Sequence, residues 1–263
     1  RLLVHDLHPD YLTTQVALTQ DELPTLAVQH HHAHVVSCMA EHGLEGNVLG
    51  LALDGTGYGD DGCIWGGEIL IADERNYERV AHFDYVPMPG GEKAIKEPWR
   101  MAVAYLWAGL GEQILQDEQQ PLQKWDRDQI TVLVQMMQRQ INSPLTSSCG
   151  RLFDAVAALV GLRDRIAYEG QAAIELEQCL EPTKEEYQYE LTEIGERLLL
   201  SPTAIFAQVF DDVASGVPPE LVSGKFHQTL VAMFADACLH LCKLHGLNRV
   251  VCSGGVFQNV FLL

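Results

Sequence analysis

Hydrophobic positions along the chain change period several times, and each change marks a predicted element. Leu26 to Val28 is a short apolar run expected as a strand, followed by a helix from His30 to about His42 that ends at Gly43, a residue suited to a helix C-terminus. Val48 to Leu53 is a fully apolar strand that breaks at the turn-rich stretch Asp54 to Gly62, after which Ile64 to Ala72 and Arg79 to Tyr85 resume as strands. Three strands in close succession predict an antiparallel meander, closed by the turn-rich segment Pro87 to Gly91.

From Glu97 to about Ile141 the period becomes helical, with Met101, Ala104, Tyr105 and Ala108 on one face and Ile130, Leu133, Val134 and Met137 on another. Leu152, Ala155, Val156 and Leu159 mark an amphipathic helix; Phe226, Leu230, Phe234, Ala237, Leu241 and Leu244 mark a long one before Gly246. Arg249 to Cys252 returns to a strand that feeds Ser253-Gly254-Gly255, and Val256 to Leu263 is expected to open a further helix. The acidic stretch Glu181 to Glu196 is expected as a solvated connector or helix face. A meander followed by helices that lead back to a strand implies an α/β layer architecture.

With 263 residues, 47% of them hydrophobic and 20% charged, the chain can bury a sizeable core. No run of roughly 18 apolar residues and no charged, apolar leader is visible, so the expectation is a cytoplasmic protein without a membrane span. The seven cysteines are odd in number and never spaced as CxxC, which fits reduced thiols better than a disulfide framework or a zinc finger. Seventeen basic against thirty-six acidic residues give a net charge of −19, a field that repels nucleic-acid backbones in the absence of a basic stripe. The chain opens on Arg1 and an apolar run, and further elements are expected beyond both ends.

His30-His31-His32-Ala33-His34 sets His30 and His34 one helical turn apart, where two imidazoles can address one ion. The same spacing also suits a polar, hydrogen-bonded helix start. A metalloprotease of the HExxH type needs Glu where His31 stands, which nearly excludes that class. Asp54, at the end of an apolar strand, offers a third ligand or caps its turn; two histidines with a carboxylate suit iron, zinc or manganese.

Asp54-Gly55-Thr56-Gly57 and Ser253-Gly254-Gly255 both follow apolar strands, and such turns either let backbone N–H groups approach a phosphate or simply reverse the chain. No GxxxxGK[ST] motif is present. Asp154, one turn into a helix, is open to a ribose-accepting role or to a plain surface one, and Gly170 stands at a helix start able to present N–H groups to an anion. Cys238 and Cys242 lie in an apolar stripe and are expected in the core.

Taken in order, Leu7-His8-Pro9-Asp10-Tyr11, Val28 to His34, Leu53 to Gly59, Gly150 to Val156, Tyr168-Glu169-Gly170-Gln171 and Ser253 to Asn259 resemble the carbamoyltransferase domain of the HypF hydrogenase-maturation family. More distantly the set is similar to antibiotic O-carbamoyltransferases and tRNA threonylcarbamoyl transferases. The resemblance implies an α/β, two-lobed, actin-like and sugar-kinase-like (ribonuclease H-like) fold, with residues 1–45 completing a first lobe and 46–263 forming a second that carries a helical insertion at about 97–145. It further implies a divalent metal, iron or zinc, held by His30, His34 and Asp54, and ATP or carbamoyl-adenylate touching Gly55, Gly150, Asp154, Gly170, Gly254, Gly255 and Asn259.

The activity it implies is carbamoyl transfer from the adenylate to the C-terminal cysteine thiol of a HypE-like acceptor protein during nickel-iron hydrogenase maturation. No catalytic base is assigned; His31 or His32 is a candidate shuttle for the thiol proton. A tRNA-modifying threonylcarbamoyl transferase is disfavoured by the charge of −19, and a nucleotide-gated binding module by the histidine cluster.

Overall fold

The computed structural model describes residues 1–20, 22–116 and 120–263. A small unit opens the chain: β1 (Leu3–Asp6), α1 (Leu12–Leu18) and β2 (Thr25–Val28), with β1 and β2 paired in parallel so that Asp6 stands beside Val28. That register brings Asp6 to the start of α2 (His30–Glu41). The main sheet is built on β3 (Val48–Tyr58), β4 (Ile64–Ala72) and β5 (Tyr77–Phe83), an antiparallel meander as the pattern predicts.

After β6 (Val86–Pro87) come four helices: α3 (Glu92–Lys96), α4 (Trp99–Leu110), α5 (Gln120–Gln123) and α6 (Arg127–Gln138). Then β7 (Leu145–Thr146), α7 (Cys149–Leu159), α8 (Gln171–Gln178), the hairpin β8 (Leu191–Ile194) and β9 (Arg197–Leu200), α9 (Pro202–Ala214), α10 (Pro219–His245) and β10 (Val250–Ser253) complete the fold. The sheet runs β10-β3-β4-β5-β9-β8, mixed in direction: β10 is parallel to β3, β9 is parallel to β5, and β8 returns antiparallel.

Period two explains why β3 is apolar at every position of its first half. Val48 and Ala52 face α2 in one core with Val35, Met39 and Val251, while Leu49, Leu51 and Leu53 face the larger core formed with α4, α7, α9 and α10. Both faces of the strand are covered, so neither set of side chains is polar. Between them Gly50 leaves no room for a Cβ, which would sit 2.4 Å from Val35.

The structure departs from the sequence pattern in several places, beginning with β1, α1 and α9, which the pattern did not announce. β3 does not stop at Asp54; it continues to Tyr58 with a register shift between Leu53 and Gly57, so Asp54, Gly55 and Thr56 form a bulge inside the ladder and only Gly59 to Gly62 turn the chain into β4. α7 is buried at every residue because it is packed between the sheet and α4, α8 and α9, so it has no polar face. Glu181 to Glu196 begins as a connector but ends in the β8–β9 hairpin, whose leucine-rich second strand carries no β-branched residue to announce it. The final segment forms two short 3₁₀ turns, Gly255–Gln258 and Val260–Leu262, in place of an α-helix.

One buried polar network fixes where α7 begins. Glu68 on β4 accepts N–H bonds from Gly66 and Gly67, the Ser147 hydroxyl and the Arg79 guanidinium, while Arg79 lies 4.0 Å over the Trp65 ring and also reaches Tyr85 and Asp61. Ser147 is thereby held in place, and Ser148 beside it caps α7 by accepting from the Arg151 N–H. Glu68→Ala leaves Arg79 charged and poorly compensated inside the protein, so the expected loss is about 3 kcal/mol of unfolding free energy. Denaturant unfolding checks this: the midpoint falls while the slope stays unchanged, and a change below about 1 kcal/mol contradicts the network's role.

Candidate metal and nucleotide site

α2 begins at the site because Gln29 caps it. The buried Gln29 carboxamide accepts from the His32 N–H at 2.8 Å and donates toward His31 Nδ1 and the Tyr58 carbonyl, each at 3.2 Å, so the histidine run starts against the bulge of β3. One turn apart, His30 and His34 then face Asp54: His30 Nε2 lies 3.1 Å and His34 Nε2 3.4 Å from the same carboxylate oxygen, Oδ2. The ligand atoms of the three residues all lie within 4.8 Å of one another.

Behind His30 stands Asp6, a residue the sequence reading did not single out. Its Oδ2 accepts a hydrogen bond from His30 Nδ1, 2.8 Å away, a carboxylate–histidine pairing that fixes the ring and leaves Nε2 aimed at Asp54. No spacing rule points from Asp6 to His30, 24 positions away; the parallel pairing of β1 with β2 makes the contact.

Two carboxylates on one imidazole hold it protonated. The hydrogen bond to Asp54 and then that to Asp6 outweigh burial and raise His30 to about 8 from an ordinary 6.5. Burial alone would push the Asp54 carboxyl up, but His30, His34 and the Gly55 N–H hold it well below the usual carboxylate range. In the neighbouring positions, His31 is fully buried and lowered to about 4 by desolvation, with no partner for Nε2 among the described residues. His32 is turned to the Asp73 carbonyl, 2.8 Å from its Nε2. Neither ring opens on the cavity described next, so the suggested role of either as proton shuttle is not supported by its placement.

A cavity of about 320 Å³ lies beside the triad and shares Asp54 with it, within the size range of small-molecule sites. Of the residues implicated by sequence, Gly55, Gly150, Asp154, Gly170, Gly255 and Asn259 line it. Gly254 lies behind the wall: at φ +110° its position admits no Cβ, which would meet the Leu53 carbonyl at 2.2 Å. Gly150 lets the start of α7 rest directly on the bulge, since a Cβ there would approach the Gly55 Cα at 2.9 Å. Arg151, Glu169, Ile174, Glu177 and Val256 also line the cavity and were not anticipated.

The chemistry of the lining differs from the expectation in one respect. The Gly55 and Gly255 N–H groups do not face the cavity free; both donate to Asp54 Oδ1, at 2.8 and 3.2 Å. Positive potential comes instead from the N-termini of α7 and α8, whose first residues flank the cavity at Gly150 and Gly170. Asp154 is not a surface residue: it is buried, raised to about 6 by desolvation that Arg151 only partly offsets. Arg151 Nη2 lies 2.8 Å from Asp154 Oδ2, yet the N–H is not aligned with it, so Asp154 Oδ2 and Arg151 Nε remain without a well-formed hydrogen bond.

The triad fits a divalent cation. Two imidazole nitrogens and a carboxylate oxygen converge, the Nδ1 of His30 is already occupied by Asp6, and His34 keeps about a third of its side chain exposed, which leaves an open direction for a substrate oxygen. Asp6 and Asp54 together balance two positive charges once His30 has given up its Nε2 proton.

Comparisons with known proteins agree along the whole chain. A family model described as "Carbamoyltransferase, Kae1-like Domain, second subdomain" matches residues 50–263, and one described as "HypF Kae1-like domain" matches residues 1–41. Carbamoyltransferase HypF of Synechocystis sp. is 37% identical over 99% of this chain, and carbamoyltransferase HypF2 of Cupriavidus necator is 36% identical over all of it. The chain spans 35% of the length of each of these relatives. A crystal structure of full-length HypF in its phosphate- and nucleotide-bound form superposes with a TM-score of 0.94 at 42% identity, over 99% of this chain and 40% of that one. This match is consistent with the actin-like, ribonuclease H-like α/β class expected from sequence. Among the described residues no helix is long and apolar enough to cross a membrane.

Proton and cation compete for His30 Nε2, which sets a pH signature. In metal-free protein the folded pKa of His30 is raised, so its contribution to stability is fully present below 6.5 and is lost as pH rises through about 8. With Zn²⁺ added the slope reverses, because deprotonated His30 is the form that binds the ion. Thermal unfolding between pH 6 and pH 9, with and without Zn²⁺, is predicted to show opposite trends relative to a His30→Ala variant; parallel curves contradict the clamp.

Proposed function

This chain belongs to the HypF carbamoyltransferase family, and from that membership we propose that it transfers a carbamoyl group from carbamoyl-adenylate to the C-terminal cysteine thiol of a HypE-like acceptor protein in nickel-iron hydrogenase maturation. The single observation that carries the proposal is the shared use of Asp54, which belongs both to the His30–His34 pair and to the wall of the cavity. A group bound in the cavity therefore has its polar end beside a cation site.

In this reading the nucleotide is ATP-derived and lies with its phosphate toward Asp54, Gly55 and the start of α7, where the helix N-terminus favours negative charge. Its ribose hydroxyls face Asp154, which lines the cavity beside Arg151. Glu169 and Glu177 also line the cavity and set acidic side chains on its wall. Gly170 and Asn259 complete the wall.

The transfer forms a carbon–sulfur bond and breaks the bond between the carbamoyl carbon and the phosphate oxygen, with AMP leaving on the electron pair and the thiol proton released. Positioning dominates such a step, because the mixed anhydride is already activated and the thiolate must be brought in line with its carbonyl. A divalent cation, iron or zinc, held by His30, His34 and Asp54 supplies Lewis-acid polarisation of a phosphate or carbamoyl oxygen. Asp6 keeps His30 in the orientation and tautomer that this requires. The cytoplasm is the proposed compartment, in keeping with seven free cysteines.

Intact protein supplied with carbamoyl-adenylate and an acceptor protein that ends in cysteine is expected to give a carbamoyl adduct on that terminal residue, detected by mass spectrometry. Asp54→Asn is expected to lower the rate by about 100-fold or more, the scale of losing one key electrostatic group. An adduct on tRNA or a sugar hydroxyl, with none on the thiol, redirects the assignment.

A further inference from the structure

Asn259 lines the cavity, and its amide orientation is dictated from outside the cavity. Its Oδ1 accepts the Phe261 N–H at 3.1 Å, so Nδ2 must be the atom that lies 2.9 Å from His227 Nε2. An amide nitrogen only donates, so His227 Nε2 must accept and carry no proton. The proton then sits on Nδ1, where the Ser223 backbone carbonyl takes it at 2.8 Å. The Ser223 hydroxyl donates in turn to the Leu176 carbonyl of α8 at 2.6 Å. Every member of the series has one self-consistent direction.

The surroundings hold His227 in that form. It is fully buried, edge-on to Phe153, Phe226 and Phe261, and desolvation lowers it to about 4, so the ring is neutral across the physiological range. His227 itself is not part of the triad or the cavity lining; its one link to the wall is Asn259. One hydrogen of the Asn259 amino group is committed to His227; the other has no partner among the described residues and belongs to a side chain on the cavity wall.

We infer that His227 is a positioning residue: by accepting one Asn259 N–H as a neutral Nδ1–H imidazole, it turns the other N–H of that amide toward an acceptor atom of the bound nucleotide. The role rests on the nucleotide reading of the cavity. It also accounts for a histidine in a box of aromatic rings, where an apolar residue would pack without needing Ser223 or Asn259 as partners.

A double-mutant cycle on the intact protein, read as ATP affinity by calorimetry, tests it. Asn259→Ala and His227→Leu are each expected to weaken binding by about tenfold, the scale of one hydrogen bond, and the double variant to be no weaker than either alone. His227→Gln, which keeps an acceptor at that reach, is expected to restore most of the affinity. Additive losses, or an unaltered affinity for His227→Leu beside a weakened Asn259→Ala, overturn the positioning role alone; an unaltered Asn259→Ala removes the nucleotide contact as well. Should His227→Leu fail to fold, ¹⁵N labelling of the histidines in unmodified protein decides: Nδ1–H with a bare Nε2 is predicted, and a protonated Nε2 refutes it.

Discussion

Asp54 is the junction on which the site depends. One carboxylate oxygen faces His30 and His34 on α2; the other takes the N–H groups of Gly55 and Gly255; and its backbone carbonyl, with that of Gly55, lies against the Ser148 hydroxyl that caps α7. Four parts of the chain meet at one residue: α2, the bulge of β3, the turn after β10 and the start of α7. A carboxylate this enclosed is stable only as an anion with matched donors, so the geometry of these elements and the charge of the site are fixed together. The bulge makes the junction possible, since a regular strand would leave Asp54 within the ladder between its neighbours.

Much of this frame is legible in the sequence for simple reasons. The apolar run Val48 to Leu53 and the two runs after it predict the meander because buried strands need continuous or alternating apolar positions. His30 and His34 declare themselves by helical spacing. Local rules fail where the deciding contact is remote. Asp6 reaches His30 only through β1–β2 pairing, and Asp154 looks like an ordinary helix-surface carboxylate until α7 is seen to be enclosed on every side. The β8–β9 hairpin escapes notice because Leu198, Leu199 and Leu200 gain strand structure from pairing with β5 and not from their own propensity. The glycine turns were visible, but their purpose was not: the Gly55 and Gly255 N–H groups serve the Asp54 carboxylate, a pairing that spans 201 positions in the case of Gly255.

The electrostatics of the cavity are mixed. The N-termini of α7 and α8 meet it and favour negative charge, while Glu169 and Glu177 set acidic side chains on the same wall. With a net charge of −19 the chain offers little to an extended polyanion.

Anomalous diffraction from crystals of the intact protein, grown with zinc and nucleotide and recorded at the metal edge, addresses the central claim most directly. The account predicts one strong peak about 2.0–2.2 Å from His30 Nε2, His34 Nε2 and an Asp54 oxygen, with nucleotide phosphate in the adjoining cavity. A peak held by other residues, or nucleotide density with these three side chains turned apart, contradicts it.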